Sequence, residues 1–136
     1  MNINHYHPKE RFTSRVENYV KYRPNYPQDV VNVLKNSYSL TKDCVITDIG
    51  SGTGIFSKLL LQNGFTVLGI EPNSEMRNYA ENDLLHYKKY KSIKGSAENT
   101  TLNNHIVDAI TVTQAFHWFK VDSAMLEFYR ILKKMG

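Results

Sequence analysis

Two carboxylates and three glycines are the residues of this chain best spaced to do chemistry together. In TDIGSGTG, residues 47–54, Asp48 is followed by Gly50, Gly52 and Gly54 at alternate positions, between the apolar run CVI and the apolar-periodic segment IFSKLLLQNG. Glycines in such a turn let the backbone bend tightly and approach a ligand, and the helix that follows offers unpaired N–H groups to an anion or polar group. Glu71 comes about twenty residues after Gly50, at the end of the next apolar run, where a carboxylate can accept hydrogen bonds from both hydroxyls of a ribose. A dinucleotide fingerprint runs G-x-G-x-x-G, whereas here Ile55 stands three residues after Gly52 and the third glycine, Gly54, stands two after it. The glycine turn and Glu71 by themselves leave a nicotinamide-binding domain open. Asp48 also reads as a turn or cap residue bonding nearby N–H groups, and Met76 as a core residue filling a gap. His5, His7, His86 and His105 have no metal-ligand spacing with one another or with Cys44, so no metal is expected.

The elements that must position these groups alternate along the chain. Phe12, Val16, Tyr19 and Val20 recur at helical spacing before RPNYP, where two prolines end the helix in a rigid loop. Val30, Val31, Val33 and Leu34 predict a second helix, and CVITDI a strand apolar on both faces, central and parallel. Ile55, Phe56, Leu59 and Leu60 give a helix that stops at Gly64, a left-handed cap, and FTVLGIE gives the next strand. SEMRNYAEN follows as a helix with Met76, Tyr79 and Ala80 toward the core, then a short strand near YKSIK. HIVDAITVT reads as another strand, with Ile106, Ala109, Ile110 and Val112 apolar, and DSAMLEFYRILKK as a helix capped by Asp122 or Ser123. This is an α/β pattern, a doubly wound parallel sheet with helices on both faces.

At 136 residues the chain is read as one domain. No apolar run approaches the ~20 residues of a membrane span, and MNINHYHPKERF lacks a signal-peptide core. The single cysteine, Cys44, gives no reason to invoke an oxidising compartment, which leaves the cytoplasm as the expected location. A net charge of +4 would suit nucleic acid if the lysines converged, but the densest group, Lys88, Lys89, Lys91 and Lys94, reads as a solvated basic edge with no nucleic-acid motif beside it.

Asp48 with the G-x-G-x-G turn resembles motif I of the class I S-adenosylmethionine-dependent methyltransferases, and Glu71, KGSAEN, TQAFHWF and the N-terminal ENYVKYRPNYP extend the likeness to the small-molecule branch over nearly the whole chain. The resemblance implies a Rossmann-like fold with S-adenosyl-L-methionine as cofactor and S-adenosyl-L-homocysteine as product. It implies that residues 1–27 form a lid helix and loop over an α/β core of residues 28–136. Tyr19, Tyr22 and Arg23 would then lie near the cofactor, with Arg23 on the methionine carboxylate. Asp48, Gly50, Ser51 and Gly52 would form the turn, and Glu71, Pro72 and Met76 the ribose side. Ser96, Ala97 and Glu98 would border adenine; many members carry aspartate where Ser96 stands here, so the expected contact passes to the Ala97 backbone. Gln114, Ala115 and His117 would edge the methyl donor, His117 being the candidate proton acceptor. The acceptor implied is a small molecule. A non-catalytic relative that binds a metabolite or a partner, and a nucleic-acid methyltransferase with a coherent basic groove, remain open alternatives.

The resembling family builds seven strands in the order 3-2-1-4-5-7-6, and about four are counted here, in the order 3-2-1-4, with RILKKMG just before strand five. The fourth strand would then be an edge with unpaired backbone groups and an apolar flank, which invites a second copy to pair. Size-exclusion chromatography with light scattering is expected to show self-association; a compact monomer at high concentration would rule it out.

Overall fold

The computed structural model describes residues 28–112 and 120–134. The expected first helix with its loop, and the stretch TQAFHWF, lie outside the described residues. In chain order the elements are α1 (Gln28–Ser37), β1 (Val45–Ile49), α2 (Ile55–Gln62), β2 (Thr66–Ile70), α3 (Ser74–Asp83), β3 (Tyr90–Ile93), β4 (Ala109–Val112) and α4 (Val121–Ile131). All pairings are parallel, in the order β3-β2-β1-β4, with Ile46 opposite Val67 and Ala109, and Gly69 opposite Ser92. The strand count and order are those expected from the sequence.

Side-chain alternation splits the sheet into two apolar faces. Ile46 and Val67 pack with Val31 of α1, Phe56, Leu60 and Leu61 of α2, and Leu84 at the end of α3. Ile49 and Ile70 pack with Ala124, Phe128 and Ile131 of α4. A parallel sheet covered on both sides needs such two-sided apolar strands, which explains why CVITDI lacks clean alternation. Gly64 takes φ 92° just after α2, in the left-handed region where a side chain is strained. Lys88, Lys89, Lys91 and Lys94 are all exposed on or beside the edge strand β3, where charge discourages a further strand from pairing.

Two boundaries differ from the sequence reading. The expected strand over HIVDAITVT begins only at Ala109, because His105 has a left-handed φ of 54° and the Asp108 carboxylate accepts the Val45 N–H at 2.8 Å. The N-cap of α4 is Lys120, not Asp122 or Ser123; Asp122 sits in the first turn, where a negative charge suits the helix dipole. After α4 the chain returns to the sheet, and Leu132 forms a parallel bridge with Val107, which donates to Ile131 and accepts from Lys133. By alternation Ala109 and Thr111 turn their backbone groups to that same outer side, where no partner is found among the described residues.

A buried clamp fastens α4 to the segment after β3. Glu127 accepts from the Thr100 N–H at 2.8 Å and the Thr100 hydroxyl at 2.6 Å, while Arg130 reaches it through Nε at 2.8 Å and a second nitrogen at 2.7 Å. The Arg130 hydrogen bond first, with those from Thr100, holds the Glu127 carboxyl down at about 2 against the opposing effect of burial. A carboxylate with a lowered folded pKa stabilises above its unfolded value, and that stability is lost as pH falls from about 4.5 toward about 2. Glu127→Gln is therefore expected to lower the melting temperature at pH 7 and to flatten the acid limb of the stability profile below pH 4.5. An unchanged acid limb would remove this role from Glu127.

Candidate functional site

The strand-to-helix turn after β1 is left-handed at each of its glycines: φ is 66° at Gly50, 57° at Gly52 and 89° at Gly54. The N–H groups of Gly50 and Ser51 both donate to the Ile70 carbonyl, at 2.8 and 3.1 Å, which pins the start of the turn to the end of β2. Gly54 donates to the Ser51 carbonyl at 3.0 Å. A Cβ at Gly54 would stand 3.0 Å from Leu84 and 3.2 Å from Ala80, so this glycine also lets α3 press against the turn. No side chain caps the N-terminus of α2, and the hydroxyl of Thr53 is buried without a hydrogen-bond partner among the described residues.

Glu71 closes this turn from the β2 side. It is 7% exposed; Oε1 accepts the Gly52 N–H and Oε2 the Asn73 N–H, each at 2.9 Å. Asn73 in turn caps α3 by accepting from the Met76 N–H at 2.9 Å, and Arg77 donates to the carbonyls of Glu71 and Pro72. Met76 is buried, with its sulfur 3.7 Å from where a Gly52 Cβ would lie. The carboxylate is thus fixed beside the glycine backbone.

Asp48 lies beneath the turn, fully buried. Ser57 of α2 donates to it at 2.8 Å and Thr111 of β4 at 3.2 Å. Burial pushes its carboxyl up to about 7; the Ser57 and Thr111 hydroxyls pull the other way, and the nearby Glu71 charge adds to the rise. In the segment after β3, a Cβ at Gly95 would stand 3.1 Å from Ile70 and 3.0 Å from the carbonyls of Asn99 and Thr100, so the chain folds back tightly at the same end of the sheet. Ser96 and Asn99 exchange backbone hydrogen bonds, Ala97 is buried, and Oε1 of Glu98 is buried without a partner among the described residues.

The structure therefore brings Gly50, Ser51, Gly52, Glu71, Pro72 and Met76 together around one turn, sets Ser96, Ala97 and Glu98 on the segment that leaves β3 against Ile70, and encloses Asp48 below them. Tyr22, Arg23, Gln114, Ala115 and His117 lie outside the described residues. Sequence reasoning missed Ser57, Asn73, Thr111 and Tyr90. Asn73 three residues before Met76 carries a cap signal, and Gly69 inside an otherwise apolar strand signals close approach by another group; for Ser57 and Thr111 the sequence holds no such sign.

A family model described as a methyltransferase domain matches residues 47–136. An uncharacterised methyltransferase-like protein of Schizosaccharomyces pombe is 30% identical over 92% of this chain, which covers 48% of that relative. The chain spans about half the length of the curated relatives it matches. A protein of Methanococcus maripaludis provisionally named an S-adenosyl-L-methionine-dependent methyltransferase shares the fold, with a TM-score of 0.82 at 22% identity over 100% of this chain and 64% of its own. The phosphoethanolamine N-methyltransferase 1 of Haemonchus contortus, in complex with phosphoethanolamine and S-adenosylhomocysteine, also shares it, with a TM-score of 0.66 at 18% identity over 94% of this chain and 30% of its own.

The burial of Asp48 has a measurable sign. Its folded pKa of about 7 lies above the ordinary aspartate value of 3.8, so between these limits the native state holds a proton that the unfolded state releases. Stability should then fall as pH rises through this window, by ~1.4 kcal/mol per unit from this group. Urea unfolding of the protein and of Asp48→Asn between pH 4 and pH 8 should show that slope only with the carboxyl present. Equal slopes in both would mean that Asp48 is charged throughout.

Proposed function

The chain belongs to the methyltransferase domain family, and from that premise we propose that it binds S-adenosyl-L-methionine at the glycine turn and serves methyl transfer to a small-molecule acceptor. The observation that carries this reading is Glu71, buried at the end of β2 with its two oxygens on the N–H groups of Gly52 and Asn73. A carboxylate so fixed accepts bonds from neighbouring ribose hydroxyls without first losing side-chain freedom. The Thr53 hydroxyl and a Glu98 oxygen, buried without a partner among the described residues, also support a polar ligand here.

Under this reading the turn backbone at Gly50, Ser51 and Gly52 approaches the ligand, and Pro72 and Met76 flank the ribose. Ser96, Ala97 and Glu98 border the adenine, with the Ala97 backbone as the main contact. Tyr22 and Arg23 cover the methionine end, Arg23 by a charge-assisted bond to its carboxylate. Gln114, Ala115 and His117 edge the methyl donor. Asp48 supports the turn from below rather than touching the ligand, since it is wholly buried between Ser57 of α2 and Thr111 of β4. When bound, S-adenosyl-L-methionine supplies a methyl group already activated by its sulfonium, and transfer leaves S-adenosyl-L-homocysteine. The work left to the protein is alignment of donor and acceptor and exclusion of water. His117 takes a proton where the acceptor must lose one; a carboxylate acceptor needs no base. We place this activity in the cytoplasm, and we propose that the outer side of β4 at Ala109 and Thr111 is where a second copy pairs.

Calorimetric titration tests the reading. The protein should bind S-adenosyl-L-homocysteine and not NAD, and Glu71→Ala and Glu71→Gln should each weaken binding at least about tenfold, as expected for hydrogen bonds to a charged acceptor. Folding of both variants is checked by circular dichroism. Absence of binding by the folded protein, or binding of NAD that depends on Glu71, would overturn it.

A further inference from the structure

Gly69 is the middle of β2, inside the buried sheet, and it is not among the glycines with positive φ. A glycine there weakens the strand and meets no conformational demand, so its reason is space. That space is filled from the neighbouring strand. Tyr90 opens β3 on the same face, opposite Val67, and its ring lies along β2 toward Gly69. A Cβ at Gly69 would stand 2.8 Å from the Tyr90 hydroxyl and 3.2 Å from its ring, and 3.0 Å from the Ser51 hydroxyl. Two hydroxyls from different ends of the site thus close on one point above Gly69: one from the edge strand, the other from the centre of the glycine turn.

We propose that Tyr90 is a positioning residue for the ligand site, its phenol reaching across Gly69 to hold Ser51 and, through Ser51, the glycine turn. The chain of contacts continues from there. Ser51 is adjacent to Gly52, whose N–H fixes Glu71, and Glu71 fixes the Asn73 N–H at the start of α3. Burial pushes the Tyr90 phenol up to about 12 against the opposing pull of the nearby Ser92 and Ser51 hydroxyls, so the group keeps its proton at any working pH. Tyr90 has a packing role as well, since its ring touches the core formed by Val67 and Leu84. Removing the hydroxyl alone separates the two roles.

The part of this inference that concerns binding rests on S-adenosyl-L-methionine being the ligand; the part that concerns the turn does not. Amide hydrogen exchange reads the turn directly, because the N–H groups of Gly50, Ser51, Gly52 and Gly54 are all hydrogen-bonded. Tyr90→Phe should speed exchange at these four amides about threefold to tenfold, the worth of one hydrogen bond, with the β1 and β2 ladder amides unchanged. Ser51→Ala should do the same, and the double variant should be no worse than either single one. Affinity for S-adenosyl-L-homocysteine should fall by a similar factor in each variant. Turn amides that keep their wild-type rates, that change only in step with the ladder, or whose losses add in the double variant would overturn the proposal. Failure of the wild-type protein to bind the homocysteine compound would instead count against the ligand, with the exchange result still deciding the role of Tyr90.

Discussion

Asp48 lies wholly out of water, and what the fold sets against its charge is a pair of hydroxyls, Ser57 from α2 and Thr111 from β4. Desolvation outweighs them, which leaves the carboxyl near the point of half-protonation at neutral pH. The group nevertheless ties three elements to one atom cluster: the end of the central strand, the first turn of the helix after it, and the strand on its other side. The glycine turn starts two residues past this knot, at the point where Gly50 and Ser51 bond to Ile70. Its path is set before any ligand arrives.

The need for such a knot follows from the two-sided core. With α1 and α2 on one face and α4 on the other, polar groups at the carboxyl end of β1 have little water to turn to. Thr47 finds an internal partner, donating to the Leu68 carbonyl at 2.8 Å, and on the far side of the core Glu127 of α4 collects the Thr100 N–H and hydroxyl. Polar satisfaction inside the sheet and order at the site above it are the same set of bonds.

Periodicity revealed the sheet because it depends on which residues are apolar, and the 3-2-1-4 order was already legible from the resemblance. The glycine turn and Glu71 were legible because their backbone demands are local. The start of β4 was not, since it depends on a left-handed His105 and on an Asp108 side chain reaching back to Val45, which no apolar pattern records. Ser57, Thr111 and Tyr90 act across strands and helices that meet only in three dimensions. Of these only Tyr90 left a mark in the sequence, and it did so indirectly, through the missing side chain at Gly69.

Glu71 has one oxygen on the turn after β1 and the other on the turn after β2. The seat it makes is therefore not a property of TDIGSGTG. An eight-residue glycine segment moved into another protein would bring the bends without the carboxylate that holds them, and a chain emerging from the ribosome has no such seat until β2 has docked beside β1. The smallest transferable unit is the run from β1 through the start of α3, and any attempt to graft or recombine this site has to break the chain outside those bounds.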